Sequence, residues 1–343
     1  MDRFDFLSQG LLYPFTRLFD PADTLSLVWI AAAFTFVAAW AVIARVRRGA
    51  GTVRARALLR FAFPRRVLLH PSSLLDYKLY AINSILMALV LGLFIAGAGP
   101  WSRATLAALE FLFGPAASGA SPSWPVTAAT TLVQILALDF GYWLAHYAFH
   151  KSPLLWEFHK VHHSAEVMTP ATEWRQHPVE LVWFPFVYGA TAGIAHGVMV
   201  QAFGAEAQHL GWVAQNMILV VHLATFHHLR HSHVYIAFTG IWGRLLHSPA
   251  HHQIHHSADA RHFDRNLGYL FSVWDWMFGT LHLPAADGEH LTLGIGPEGK
   301  THTSVAQVMW RPVRAAWGML VARKTGPQGR AAPTAPTPAT RAG

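Results

Sequence analysis

"VTAATTLVQILALDFGYWLAHYAFH" (126–150) decides how this chain is to be folded. Between Val126 and Phe149 the only charged residue is Asp139. A bilayer core needs about 20 mainly apolar residues in a helix, and the run supplies them. It ends on "HYAFH" (146–150), where His146 and His150 stand at i and i+4 and so share one helical face. The stretch reads as a membrane helix that delivers two imidazoles to its end.

Composition supports the membrane. Of the 343 residues 53% are apolar and only 13% charged, about half the usual charged share. The 14 Trp and 22 Phe suit anchoring at lipid interfaces. Other spans are expected at Leu25–Ala44 and at Leu79–Gly99. A weaker pair is expected at about Leu181–Phe203, with Pro185 inside it, and at about Leu210–Phe226. The opening "MDRFDFLSQG" lacks the basic start of a signal peptide, so the first apolar run is expected to be retained as an anchor. The tail "KTGPQGRAAPTAPTPATRAG" (324–343) is too poor in core-forming residues to pack and is expected to be disordered.

The net charge of +8 is not that of a nucleic-acid binder, because its distribution is that of a membrane protein. Nine basic residues (Arg45, Arg47, Arg48, Arg54, Arg56, Arg60, Arg65, Arg66 and Lys78) lie between the first two expected spans, against one Arg in 100–125. The positive-inside rule puts 45–78 in the cytoplasm, and counting crossings from there brings every histidine-rich string to the same side. With no cysteine there is no disulfide framework or iron–sulfur cluster, so imported electrons must come from another protein.

Eighteen of the 23 histidines fall between 146 and 256. "HKVHH" (159–163) and the end of "HHQIHH" (251–256) place His159, His162 and His163, and His252, His255 and His256, at i, i+3 and i+4. Eight imidazoles exceed the needs of one zinc and suit two transition metals with open positions. His231 in "FHHLRHSHV" (226–234) is the first choice to extend the set, and His227 and His177 are further candidates. His196, His209 and His222 read as packed residues, and His262, His282, His290 and His302 as ordinary surface or loop residues. Asp139, Glu157, Glu166, Glu173, Glu180, Asp259, Asp264 and Asp275 lie near the clusters as possible acceptors for the far ring nitrogens, and the sequence does not sort them.

The ordered strings "HYAFH", "HKVHH" and "HHQIHH", with "HHSAE" (162–166), "RHSHV" (230–234) and "DRNLGYLFSVWDWMFGTL" (264–281), resemble the sterol desaturase/fatty acid hydroxylase superfamily. "HHSAE" is similar to the alkylglycerol monooxygenase branch, a match too short to name a substrate. The resemblance implies two iron ions, with zinc possible after heterologous expression, and dioxygen as co-substrate. It implies hydroxylation or desaturation of a sterol, fatty acyl chain or alkylglycerol. No "HPGG" of a fused cytochrome b5 is present, so the electron donor is expected to be a separate cytochrome b5-like protein, ferredoxin or reductase.

The expected molecule is thus an all-α integral membrane protein with about four to five transmembrane or hairpin helices and a cytoplasmic histidine-rich catalytic cap. It sits in the cell inner membrane, with no nucleic-acid partner. Its expected divisions are an N-terminal segment (1–24), helices with the basic loop (25–124), a hydroxylase-like domain (125–283), an extension (284–323) and the tail. The expected metal ligands are His146, His150, His159, His162, His163, His177, His227, His231, His252, His255 and His256, with no catalytic residue apart from them. A membrane zinc hydrolase is the alternative, weakened by the lack of HExxH, and a metal-handling protein would place its ligands nearer the bilayer midplane.

Overall fold

A computed structural model describes residues 11–21, 23–47, 54–87, 97–116, 123–204 and 215–324. Among these residues the regular elements are helices, with two isolated β-bridges, Leu246 to Phe271 and Ser257 to Leu293. The principal ones are α1 (Leu27–Arg47), α2 (Pro71–Leu86), α3 (Ala98–Phe113), α4 (Trp124–Lys151), α5 (Pro153–His163) and α6 (Pro178–Phe203). They are followed by α7 (215–230, whose turn Leu223–His227 is π-helical), α8 (Pro249–His255) and α9 (Val305–Lys324).

Three of these, α1, α4 and α6, are long and apolar enough to cross a membrane. The other expected spans, 79–99 and 210–226, each run partly over residues outside those described, as do the first residues of the N-terminal segment and the tail from 325. Where described, α2 starts at Pro71, eight residues before the expected span, with the His70 ring accepting from the Ser72 N–H as its cap. Its buried face carries Ser72, Ser73, Asp76, Asn83 and Ser84, which find polar partners inside the protein. The stretch 100–125, which holds a single Arg, contains most of α3.

Glycines set the packing of α3, α4 and α6. A Cβ on Gly193 would lie 2.3 Å from the Ala98 carbonyl oxygen, and one on Gly197 2.7 Å from that of Ser102. These two positions, one helical turn apart, let α3 lie directly against the second half of α6. Gly141 does the same for α4, where a Cβ would meet Thr191 Oγ1 at 2.1 Å. Pro185 is accommodated within α6. The antiparallel α4 and α6 therefore bring the end of one and the start of the other together, and the histidines gather there.

On this end Arg175 is buried and acts as a bolt. It donates to Asp76 Oδ1 (2.8 Å), to Ser164 Oγ (2.9 Å) and to the carbonyl of His302 (3.1 Å), joining α2, α5 and the approach to α9. Val161, Leu75, Leu79 and Val308 pack around the same junction.

Candidate metal centre

The site is assembled from three short histidine-bearing segments and one loop. The last turn of α4 presents His146 and His150. Pro153 starts α5 after the extended Ser152, whose hydroxyl accepts from the Leu155 N–H. α8 starts at Pro249 after Ser248, whose amide donates to the His251 ring at 3.1 Å. His251, the first imidazole of "HHQIHH", is thus spent on the helix cap.

His146, His150, His159, His163 and His255 each direct a ring nitrogen into one volume, and those nitrogens lie within 4.8 Å of one another. His162, His231, His252 and His256 form a second such group. The partition follows from helix geometry. Positions i and i+4 differ by about 40° around the axis, whereas i+3 falls about 60° to the other side. In α5 the outer pair, His159 and His163, enters the first group and His162 the second. In α8 the pair His252 and His256 enters the second group and His255 the first. The groups adjoin, with the rings of His163 and His256 stacked 4.7 Å apart.

Tautomers give the first group its chemistry. An oxygen of a carbonyl or carboxylate can only accept, so each imidazole bonded to one must donate. His146 Nδ1 donates to the Leu267 carbonyl (2.8 Å) and His255 Nδ1 to that of Arg265 (2.8 Å). His159 Nδ1 donates to Glu180 Oε2 (2.6 Å) and His150 Nδ1 to Asp264 Oδ1 (3.2 Å). Four Nε2 lone pairs therefore face one another. Nε2 of His146 and His159 are 3.0 Å apart, and those of His150 and His255 are buried with no hydrogen-bond partner. Bare lone pairs at this distance repel. A cation at their centre removes the conflict, and the donor set fits a first-row transition metal.

The second group is less uniform. Nε2 of His231 lies 3.3 Å from that of His162 and 2.8 Å from that of His252. Arg230 donates from Nη2 to His252 Nδ1 (3.1 Å), so neutral His252 carries its proton on Nε2, and a metal there must displace it. Burial, followed by the nearby Arg175, lowers the His162 pKa to about 3. Burial with the surrounding imidazoles drives His159, His163, His255 and His256 far below the ordinary histidine value. All are held in the neutral, ligating form.

Nine of the eleven expected ligands fall in these groups. His177 does not: it caps α6, accepting from the Val179 N–H at Nδ1 and donating from Nε2 to the Met309 carbonyl, so neither nitrogen is left for a metal. His227 lies beside the centre with Glu173 and His228. Its ring is held between the Tyr269 hydroxyl (3.0 Å) and Glu173 Oε2 (2.9 Å). Burial opposes ionisation of Glu173, but His227, His228 and Arg230 outweigh it and hold the carboxyl at about 2. Of the unsorted carboxylates, Glu180 and Asp264 serve ligand rings. Asp139 and Asp275 instead accept from the backbone of 267–271, the loop that offers Leu267 to His146. Arg230, Tyr269 and the carbonyls of Arg265 and Leu267 had no periodic signature to mark them.

Cavities flank the centre. One of about 660 Å³ is walled by His150, His163 and His255 themselves, with Trp156, Phe263 and Lys151. Another, of about 430 Å³, lies between α4 and α6 behind Tyr142 and Phe184 and also touches Glu173, Glu180 and Tyr269. It shares Met87, Leu138, Pro185 and Tyr188 with a further cavity of about 700 Å³ that reaches His196 and Gln215.

Comparison with known proteins finds similarity over the histidine-bearing part of the chain. The fatty acid hydroxylase family model matches residues 131–280. This stretch, less than half of the chain, is similar to the fatty acid hydroxylase family. Alkylglycerol monooxygenase of Caenorhabditis elegans is 28% identical over 151 residues, which cover 43% of this chain and 26% of that protein. The human alkylglycerol monooxygenase is 25% identical over 161 residues, 47% of this chain and 32% of that protein. Ornithine lipid hydroxylase OlsE of Rhizobium tropici is 26% identical over 161 residues, 47% of this chain and 44% of that protein. The chain thus spans less than half the length of these curated relatives. No solved structure matches the chain significantly.

Proposed function

We propose that the protein is a membrane-bound oxygenase that uses two iron ions and dioxygen to hydroxylate a lipid, with desaturation as the alternative outcome at the same centre. The observation that carries this reading is the pair of adjoining all-imidazole groups, five and four residues strong, in the first of which four lone pairs converge without a hydrogen-bonding purpose. An unactivated C–H bond is beyond acid–base side chains, and bound iron would supply the activation of dioxygen and the one-electron chemistry. His146, His150, His159, His163 and His255 would hold one ion, and His162, His231, His252 and His256 the other.

The remaining residues orient and protect. Glu180, Asp264 and the carbonyls of Leu267 and Arg265 keep four ligand protons on the far nitrogens. Trp156, Phe184 and Tyr142 pack against ligand rings. The adjoining cavities supply room for a chain-bearing substrate, and each buried methylene adds about 0.8 kcal/mol to its binding. Alkylglycerols and ornithine lipids, which the relatives' names give, share a polar head on a long chain, and we carry over only that class. Electrons would come from a separate cytochrome b5-like, ferredoxin or reductase partner. The active site would face the cytoplasm from the inner membrane.

The test is purified full-length protein with Fe²⁺, a reductant system, membrane lipid and ¹⁸O₂. One labelled oxygen in a lipid product is expected for hydroxylation, and loss of two hydrogens for desaturation. Product oxygen drawn only from water, or turnover under strict anaerobiosis, would overturn the oxygenase reading and restore the zinc hydrolase.

A further inference from the structure

Beyond the two histidine groups, His262, His282 and Glu289 form a cluster that the oxygenase reading does not use. One ligand atom from each lies within 4.8 Å of the others. His262 ends the 3₁₀ turn Ala260–His262, set by Asp259, whose side chain accepts from the Arg261 N–H. His282 and Glu289 come from the chain that follows the 264–281 segment. In sequence these residues look like isolated surface groups; the fold brings them together.

The second observation is the state of His262. It is only 3% exposed, and neither of its ring nitrogens has a hydrogen-bond partner. An imidazole always presents a polar atom at each nitrogen, and buried polar atoms are rarely left without a partner. Glu289 faces it: Oε1 accepts from the Ala285 N–H, which fixes the carboxylate with Oε2 3.6 Å from His262 Nε2. That separation is too long for a hydrogen bond. It is close to the roughly 3.4 Å that separates two ligands of one tetrahedral Zn²⁺ with bonds of about 2.0–2.1 Å. The His282 ring stands at 72° to that of His262 with centroids 4.7 Å apart, and it is half-buried, free to close the remaining gap. The nearby cations do not occupy the site, since Arg261 is engaged by Asp259 and Arg265 by the Gly279 carbonyl.

We infer that His262, His282 and Glu289 bind a single Zn²⁺-class ion, separate from the histidine groups, with water in the fourth position. Two imidazoles and one carboxylate are a ligand set that zinc accepts. The ion would clip the 282–289 chain to the turn at 260–262. That turn continues into Phe263 and Asp264, which wall the 660 Å³ cavity, and Asp264 orients His150. The ion would therefore brace one wall of the cavity without touching the reacting groups.

The experiment is metal content per chain, by mass spectrometry, of detergent-solubilised full-length protein saturated with Zn²⁺ and then desalted. Wild type should hold about one equivalent more than His282→Ala and Glu289→Gln. His163→Ala, which alters the main centre, should retain the site, seen as a further loss of about one zinc equivalent when Glu289→Gln is added to it. Should His282→Ala elute as aggregate, Glu289→Gln decides alone, because the amide keeps the shape and its oxygen can still accept from Ala285. Equal zinc content in wild type and a folded Glu289→Gln overturns the inference. Since the count concerns only these three residues, it stands or falls whether or not the protein proves to be an oxygenase.

Discussion

Glu180 holds the Nδ1 proton of His159, and so keeps the nitrogen that faces the centre bare. Replacing such an acceptor typically weakens metal binding about 10- to 100-fold. Glu180→Gln, which retains an oxygen but loses the charge, should sit near the lower end of that range in a chelator competition, and His163→Ala well beyond it; equal affinities in wild type and Glu180→Gln would remove the carboxylate from the argument. Acid should act in the same direction. The buried imidazoles have folded-state values far below their ordinary 6.5, with His162 at about 3, so unfolded chain takes up protons that folded chain refuses. Stability is then fully present above about pH 6.5 and declines as pH falls from there towards 3. Metal loss has the same sign. Melting temperatures of metal-stripped protein that stay flat from pH 7 to 5 would contradict this. The HxxHH spacings made nine of these histidines legible in the sequence. His177 was not separable from them, because a histidine that caps a helix has the same spacing as one that binds metal, while His227 falls outside the two groups, beside Glu173 and His228.

The elements that hydropathy marks, α1, α4 and α6, are those whose outward faces are mainly apolar. α2 hides its character because its polar side, Ser72, Asp76, Asn83 and Ser84, turns inward to Arg175, Arg17 and backbone carbonyls. A window average cannot distinguish a polar residue that faces a partner from one that faces water. The glycines of α6 carry a prediction of their own. Gly193→Ala and Gly197→Ala force a Cβ against backbone oxygens of α3, and overpacking of this kind costs about 1–3 kcal/mol. In α9 a Cβ on Gly318 would meet nothing within 4 Å, and the same exchange there should stabilise by about 0.5–1 kcal/mol through helix propensity. Thermal unfolding in detergent should thus move in opposite directions for the α6 variants and Gly318→Ala. Matching shifts would mean that α3 does not lie on α6 as described.

Across the whole molecule, the turn 260–262, the 54–63 segment and every histidine of the centre are expected on the cytoplasmic side, with the end of α3 opposite. Phe61 and His233 already meet, the His233 ring donating to the Phe61 carbonyl at 2.6 Å, which ties the basic segment to the histidine end. In a chain with no cysteine, Ala55→Cys and Ala260→Cys, both exposed, should resist an impermeant thiol reagent in intact cells, while Pro115→Cys should react. Buried Ala165, though next to the second histidine string, would report nothing. Labelling of Ala260→Cys from outside would invert the topology. The crossing of ligands between the two groups has a further outcome. α5 and α8 each carry histidines of both groups, so on the proposed two-ion reading the first ion to bind would fix both helices and prepay the ordering of the ligands the second one needs. Occupancy should be cooperative: as iron is titrated into stripped protein, native mass spectrometry should find chains with none or two, and few with one. A cell short of iron would then hold a smaller number of complete enzymes in place of a large number of half-built ones, and a statistical spread of zero, one and two ions would show that the groups fill independently.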